Sequence, residues 1–388
     1  MTISTVVFTN LKDSLDAGKD LGTKIIAGLK GKIPNVVILF ASSVHNYEHL
    51  LKAIKHSCDA EIIVGCSSAG EFTSMEFDTD SATAVGIHSN EIKFSAGLGR
   101  DISKDRNIVA DELFSALKGT DSYEYPYHSG LILADALSGY TDELIDILTE
   151  RTVGAYQFFG GGAGDDAKFE KTHVFFGEQA FPDAAIILEI LSHKPVGIGV
   201  RHGWQPTGKK MKVTESSGSK LISINATPAV EVFAQYANDS NQTFDPKNPI
   251  PFFLHNVIGI EMESGYKLRV PLAVQTDGSI ICASDIVEGS IISFMEIGSD
   301  AATLAAEDAT NAALQQLNLN KPSVALFFDC VATRLRMGRE FEMELKKVKD
   351  KLDPSKYVGC NTYGQIARVD GQFSGFHNCT AVVCIIPE

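Results

Sequence analysis

This sequence predicts an α/β fold of duplicated strand–helix–strand modules, forming mixed sheets packed with helices. Three observations carry that prediction. VGCSSAGEF (64–72) and VGCNTYGQI (358–366) repeat one phrase near opposite ends of the chain, and FFGGGAGDD (158–166) has the same glycine-rich shape between them. Each phrase ends a short apolar run, and each follows another apolar run and a segment with helical spacing. Repeats this long and irregular point to duplicated modules rather than to a solenoid.

In the first copy, NVVILFAS (35–42) reads as a buried strand, NYEHLLKAIKHSC (46–58) as an amphipathic helix and EIIVGCSSAGEF as a strand ending in a Gly-bounded turn. ATAVGIHS and EIKFSAGLG follow as strands. In the second copy, GLILADAL is a strand, TDELIDILTERTV (141–153) a helix with Thr141 in N-cap position, and YQFFGGGAGDD a strand and turn. HVFFGE, AAIILEIL and VGIGVRHG continue it, so that IHSNEIKFSAGLG (87–99) lines up with ILSHKPVGIGVRHG (190–203). The third copy is SVALFFDCVA, the charged helix RMGREFEMELKKVKDKL (336–352), YVGCNTYGQIARV and FHNCTAVVCIIP. Between the second and third copies, 205–320 is less repetitive: strand-rich, with a clear helix at 301–317 and a polar loop, NDSNQTFDPKNP (238–249).

Composition narrows the function. With 388 residues, 44% hydrophobic and 21% charged, the chain can bury more than one ordinary core. Its net charge of −15 repels phosphate backbones and anionic lipid, which argues against nucleic-acid and membrane-surface binding. No apolar stretch reaches about 18 residues, and MTISTVVFTN has no signal-peptide pattern, so a cytoplasmic protein with reduced thiols is expected. The seven cysteines form no C-x-x-C pair, which leaves a Cys-rich zinc site unsupported.

The repeated phrase invites a nucleophile reading of Cys66 or Cys360. A nucleophile elbow needs G-x-S-x-G leading into a helix; here Ala69 stands at the closing glycine and no helical pattern follows. FFGGGAGDD has no Lys-Ser/Thr for a phosphate loop, and Asp165 and Asp166 would repel phosphate. The phrase therefore reads first as a tight turn whose glycines let backbone approach closely, at the floor of a pocket. Cys330 and Arg334 lie four apart after a strand, where a guanidinium would favour a thiolate. His45, His49 and His56 fall on one helix face, but without H-E-x-x-H and beside Lys52 and Lys55 they read as solvated.

VGCSSAGEF, FFGGGAGDD, FDCVATR (328–334), VGCNTYGQI and FHNCT (376–380), in this order and spacing, resemble the FIST sensory family over nearly the whole chain. The resemblance implies a two-part FIST architecture, an N-terminal domain over 1–225 and a C-terminal domain over 226–388. It implies a small-ligand sensor in bacterial signal transduction, with a pocket formed by Cys66, Ser67, Ser68, Gly70, Gly161, Gly162, Cys330, Arg334, Asn361, Thr362, Tyr363, Gly364 and Asn378. The family usually carries Glu where this chain has Gln365, so no acid/base role transfers to that position. A stand-alone N plus C pair looks like the family's nitric-oxide-sensing haem proteins, which act beside histidine kinases or cyclic-di-GMP enzymes such as diguanylate cyclases and phosphodiesterases. The resemblance also allows a homodimer. Haem b would need one neutral imidazole at an apolar slot, and His202, His255 and His377, each with aromatic or apolar strand neighbours, are the candidates. Two alternatives stand beside this reading: a non-haem sensor of amino acids or other metabolites, and a cysteine-dependent acyl or amide hydrolase or transferase using Cys66, Cys330 or Cys360.

Overall fold

The computed structural model describes residues 1–120, 124–263, 265–369 and 374–388. Three modules of one plan emerge from it. The first runs strand Thr2–Thr9, helix Ser14–Gly28, strand Val36–Ala41, helix Tyr47–Cys58, strand Ile62–Ser67 and strand Ala82–Ser89. The second repeats this with Lys93–Arg100, helix Arg106–Ser115, Tyr127–Ala134, helix Thr141–Arg151, Gln157–Gly162 and Ala184–Ser192. The third uses Gly197–Arg201, helix Ala301–Gln316, Pro322–Cys330, helices Val331–Met337 and Phe341–Leu352, Lys356–Thr362 and Ala381–Pro387. Each module therefore begins one strand and one helix earlier than the sequence pattern shows.

In all three sheets the order is first, fourth, second, third strand. The second and third strands run parallel, and the fourth runs antiparallel to the second. Each third strand then pairs with a hairpin from another module. Hairpin 71–78 of the first module extends the third sheet, the paired strands Gln365–Arg368 and Ser374–His377 of the third extend the second, and hairpin 174–181 of the second extends the first. The exchange closes a ring, so none of the modules completes its sheet alone.

Period-2 alternation explains the continuous apolar strands. Val36, Ile38 and Phe40, Leu131 and Leu133, and Val324, Leu326 and Phe328 point into one core shared by the three sheets. The intervening Val37 and Leu39, Ile132 and Ala134, and Ala325 and Phe327 pack under the outer helices. The second-module helix takes up the chain after Tyr140, which holds the cap position in a left-handed conformation; Thr141 is already the first helical residue, not the N-cap. His45 lies before its helix and is buried, whereas His49 and His56 are exposed on it, so the three do not share a helix face.

Residues 205–297 are an insert in the third module. They form a fourth sheet folded over Phe233, Phe252, Phe253 and Phe294. Residue 225 falls within this insert. An ion network ties the insert to the body: Asp142 accepts from Lys267 (2.6 Å), from Arg269 Nη2 (2.8 Å) and from the Phe376 N–H (2.9 Å). Among the described residues no helix is long and apolar enough to cross a membrane.

Candidate functional site

The three repeated phrases meet at the centre of the ring. Gly65, Gly160 and Gly359 occupy one position in the three turns. A Cβ on any of them would overlap the carbonyl oxygen of Leu39, Ile132 or Phe327 on the neighbouring parallel strand. Four residues further on, each turn donates a backbone N–H to another: Ala69 to the Asn361 carbonyl (2.9 Å), Gly164 to Ser67 (2.9 Å) and Tyr363 to Gly162 (3.0 Å). The phrase is thus a hub in which each turn braces another.

Six residues past the invariant glycine stand Glu71, Asp166 and Gln365. Ser68 Oγ donates to one Glu71 oxygen, and the Ser81 N–H and Oγ reach the other at 3.2 and 3.0 Å. Gln365 has the equivalent partners, its Nε2 donating to Thr362 Oγ1 (2.8 Å) and its Oε1 accepting the Thr380 N–H (3.2 Å). Burial pushes the Glu71 carboxyl up to about 8, against the pull of the Ser68 and Ser81 donors. A protonated Glu71 is nearly isosteric with Gln365, which explains how one turn carries Glu and another Gln. Because Glu71 keeps its proton in the fold while the unfolded chain ionises near about 4.3, its contribution to stability falls as pH rises from there to about 8. Glu71→Gln should remove that loss. Urea midpoints at pH 5 and 8.5 should converge in the variant, with a gain at pH 8.5 on the order of a few kcal/mol over wild type.

Above the hub an open apolar cleft separates it from the insert. Its hub side is Ala136, Phe169, Cys330, Val331, Leu335 and Tyr363, and its insert side includes Phe253, Leu254, Val270 and Leu272. Phe169 stacks on Tyr363 with ring centroids 4.3 Å apart. Tyr363 Oη is held by Asp165, whose carboxylate also caps the N–H groups of Phe169, Glu170 and Lys171 at 2.7–2.8 Å. Asn378 adds a polar group to the cleft wall, anchored to the Val270 N–H at 3.3 Å. Trp204, the chain's single tryptophan, is buried behind the cleft with Val270, Cys330 and Ala332.

In the hub, on residues close in the chain to the cleft-lining Leu335 and Tyr363 and on Asp166, several polar atoms lack partners. Asn361 is fully buried, yet neither its Oδ1 nor its Nδ2 makes a hydrogen bond, and Arg334 Nε and Asp166 Oδ1 are likewise unpaired. Gly70, at φ 138°, brings them together: a Cβ there would lie 2.7 Å from Asn361 Oδ1 and 3.0 Å from Arg334 Nη1. Burial pulls the Arg334 guanidinium down, and Glu71, Asp166 and Tyr363 pull it back up. The other Asp166 oxygen is held by Ser42 Oγ (3.0 Å) and the Ser43 N–H (2.8 Å). Buried polar atoms left unpaired are costly, and a ligand offering both donors and acceptors would satisfy this set.

The sequence-derived candidates cluster at the hub, with roles that differ among them. Ser67 ties its turn to His173, accepting the His173 N–H at 2.9 Å. Gly161, Gly162 and Gly364 are close-packing positions against Thr362, Ala136 and Phe376. Cys66 and Cys360 lie side by side, fully buried in the shared core, and none of the described cleft-lining residues is either of them. Cys330 does line the cleft, but its thiol is pulled down to about 6 by the neighbouring Cys379, not by Arg334, whose guanidinium turns toward Gly70.

The three histidines do not converge. His202 is half-buried with Nε2 on the Tyr266 carbonyl (3.0 Å), and burial, with Lys267 and Arg269, drives His377 down to about 3. His255 is exposed. None lines the cleft among its described residues, and the cavity beside His202, about 210 Å³, is too small for a porphyrin. The donor set does not fit haem b.

Glu71, Asp166, Phe169 and Leu335 escaped sequence reasoning, as did the insert side of the cleft. The repeat register carried a signal for Glu71 and Asp166, six residues past each invariant glycine, whereas nothing in the non-repetitive insert marks Leu254 or Leu272.

The FIST N domain model matches residues 35–227 and the FIST C domain model residues 229–368. An uncharacterized protein of Methanocaldococcus jannaschii is 19% identical over 97% of this chain and 77% of its own length. Among solved structures, a cyanuric acid hydrolase from A. caulinodans covers all of both chains at 7% identity and a TM-score of 0.36. PurLQS from Thermotoga maritima covers 99% of this chain and 72% of its own at 10% identity and a TM-score of 0.22. Overlays this loose carry no argument about fold or activity. The two domain matches, by contrast, span most of the sequence in tandem, and the chain belongs to the FIST family, whose domains are associated with sensing in signal transduction.

Proposed function

We propose that this protein is a cytoplasmic sensor of a small organic ligand with an apolar body and a zwitterionic head, the chemistry of an amino acid with an apolar side chain. The observation that carries this reading is the fully buried, unpartnered amide of Asn361 beside Arg334, close in the chain to Tyr363 and Leu335 of the apolar cleft wall. In it, a ligand carboxylate takes the Arg334 guanidinium and Asn361 Nδ2. Its ammonium takes Asn361 Oδ1 and Asp166 Oδ1, and its side chain lies against Val331, Leu335 and Leu254. An occupant so placed touches both the hub and the insert, so it favours one setting of the insert over others, the condition for a sensor. A separate histidine kinase or cyclic-di-GMP enzyme reads that setting. Haem and nitric oxide are left out because no imidazole is among the described residues that line the cleft.

A thermal-shift screen of leucine, methionine and phenylalanine, each beside its deaminated acid and its amine, tests the head-group claim. Only the full amino acids should raise the melting temperature, since native-state binding stabilises. Arg334→Gln should weaken the best of them by about 10–100-fold, the worth of a hydrogen bond to a charged group. Equal binding of a deaminated acid, or an Arg334→Gln variant with unchanged affinity, would contradict the proposal.

A further inference from the structure

We infer that Cys330 and Cys379 form an oxidisable dithiol, open to small hydroperoxides through the cleft, that closes to a disulfide. Cys330 ends strand Pro322–Cys330 and Cys379 sits in the turn just before strand Ala381–Pro387. These strands are paired, with Phe328 opposite Val382, so the two cysteines converge at one end of the ladder. They share a buried cluster with Trp204. Cys330 lines the cleft, while Cys379 lines the small cavity on the other side, beside Asp329 and Glu344, so the pair forms a partition between the two spaces. The neighbouring Cys379 pulls the Cys330 thiol down to about 6, against the effect of burial, towards the thiolate form that attacks peroxides.

The chemistry closes within the pair. The Cys330 thiolate attacks the hydroperoxide, forming an S–O bond as the O–O bond breaks, and the departing oxygen takes a proton and leaves as water or an alcohol. The Cys379 sulfur then attacks the sulfenic sulfur. An S–S bond forms, the S–O bond breaks, and hydroxide leaves with the Cys379 proton as water. Two thiols are oxidised and one hydroperoxide is reduced. The helix Val331–Met337, which supplies Val331, Ala332 and Leu335 to the cleft, starts at Cys330. The bond would therefore reshape the ligand's floor.

The chain contains its own comparison. Cys66 and Cys360 are also neighbours, yet both are fully buried in the shared core, and burial pushes the Cys360 thiol up. Cys282 is held up to about 12 by burial.

This inference does not depend on the identity of the ligand, and its test needs none. The full-length reduced protein is treated with one equivalent of hydrogen peroxide at pH 7, then denatured, and its thiols are counted and mapped by mass spectrometry. Two of the seven thiols should be lost, joined as Cys330–Cys379. The loss should run about tenfold or more faster than for free cysteine, and Trp204 emission should change with it. Cys379→Ser should instead accumulate a dimedone-reactive sulfenic acid on Cys330, and Cys330→Ser should lose no thiols. Retention of all seven thiols in the wild type, a Cys66–Cys360 link, or thiol loss at the wild-type rate in Cys330→Ser would each overturn the inference.

Discussion

Asp142→Asn is expected to loosen the insert from the body and to lower stability by about 3–5 kcal/mol, the usual penalty for removing one partner of a buried ion network. Lys267 and Arg269 come from the insert, and Arg269 is 2% exposed. With Asp142 neutral, two buried cations would face each other without an anion between them. Burial alone would push the Asp142 carboxyl up, but Lys267 and Arg269, aided by the Phe376 N–H, hold it below its ordinary value. Its stabilisation is therefore complete above the unfolded carboxylate range, near about 3.9, and lost as pH falls through the lower folded value. Urea unfolding followed by Trp204 emission should show an earlier transition in the variant at pH 7, and the gap to wild type should narrow in acid. Coincident curves at pH 7 would show that the network does not hold the insert.

The second large effect is expected at the hub. Gly160→Ala should prevent accumulation of the folded protein, a loss greater than about 4 kcal/mol, because the new methyl would overlap the Ile132 carbonyl on a strand whose register is fixed on both sides. Its φ of 140° adds backbone strain. Gly65→Ala and Gly359→Ala should behave alike, since their Cβ atoms would strike the Leu39 and Phe327 carbonyls in the same way. Gly177→Ala supplies the contrast. Its φ is 61°, but nothing lies within 4 Å of the added carbon, so it should cost about 1 kcal/mol. Soluble yield and thermal melting of the four variants separate close packing from turn strain. A well-folded Gly160→Ala protein would refute the interlocked hub.

Much of this architecture was legible in the chain, and for a definite reason. A strand buried on both faces must be apolar throughout, and a glycine pressed against a neighbouring carbonyl admits no substitute, so both features stand out at each repeat. The alignment of 87–99 with 190–203 has a structural basis: both segments span the last strand of one module and the first of the next. The exchange of hairpins was hidden, because 71–73 and 174–176 pair in another module through backbone bonds that leave no trace in side-chain pattern. The third module was obscured by the insert, which parts strand Gly197–Arg201 from helix Ala301–Gln316.

The candidate site divides along the same line. Its hub half was marked by the repeated phrase, and Arg334, Asn361, Tyr363 and Asn378 were found there. Its insert half comes from residues whose apolar character is indistinguishable in sequence from that of an ordinary core. The same ambiguity misdirected the histidine argument. Aromatic neighbours around His377 belong to a packed interior, where burial and nearby cations keep the ring neutral without any ligand. The pairing of Cys330 with Arg334 by helical spacing is not what lowers the thiol: the guanidinium lies beside Gly70, while Cys379 is the neighbour that acts on Cys330.

The central claim is that one ligand touches both the hub and the insert. Hydrogen–deuterium exchange of the full chain, with and without a saturating amino acid that raises the melting temperature, tests it most directly. The account predicts slowed exchange in two separate stretches, 331–337 with 361–363 on the hub and 252–254 with 268–272 on the insert, and little change on the outer helices at 14–28 and 106–115. Protection confined to one side of the cleft, or centred away from both, would contradict it.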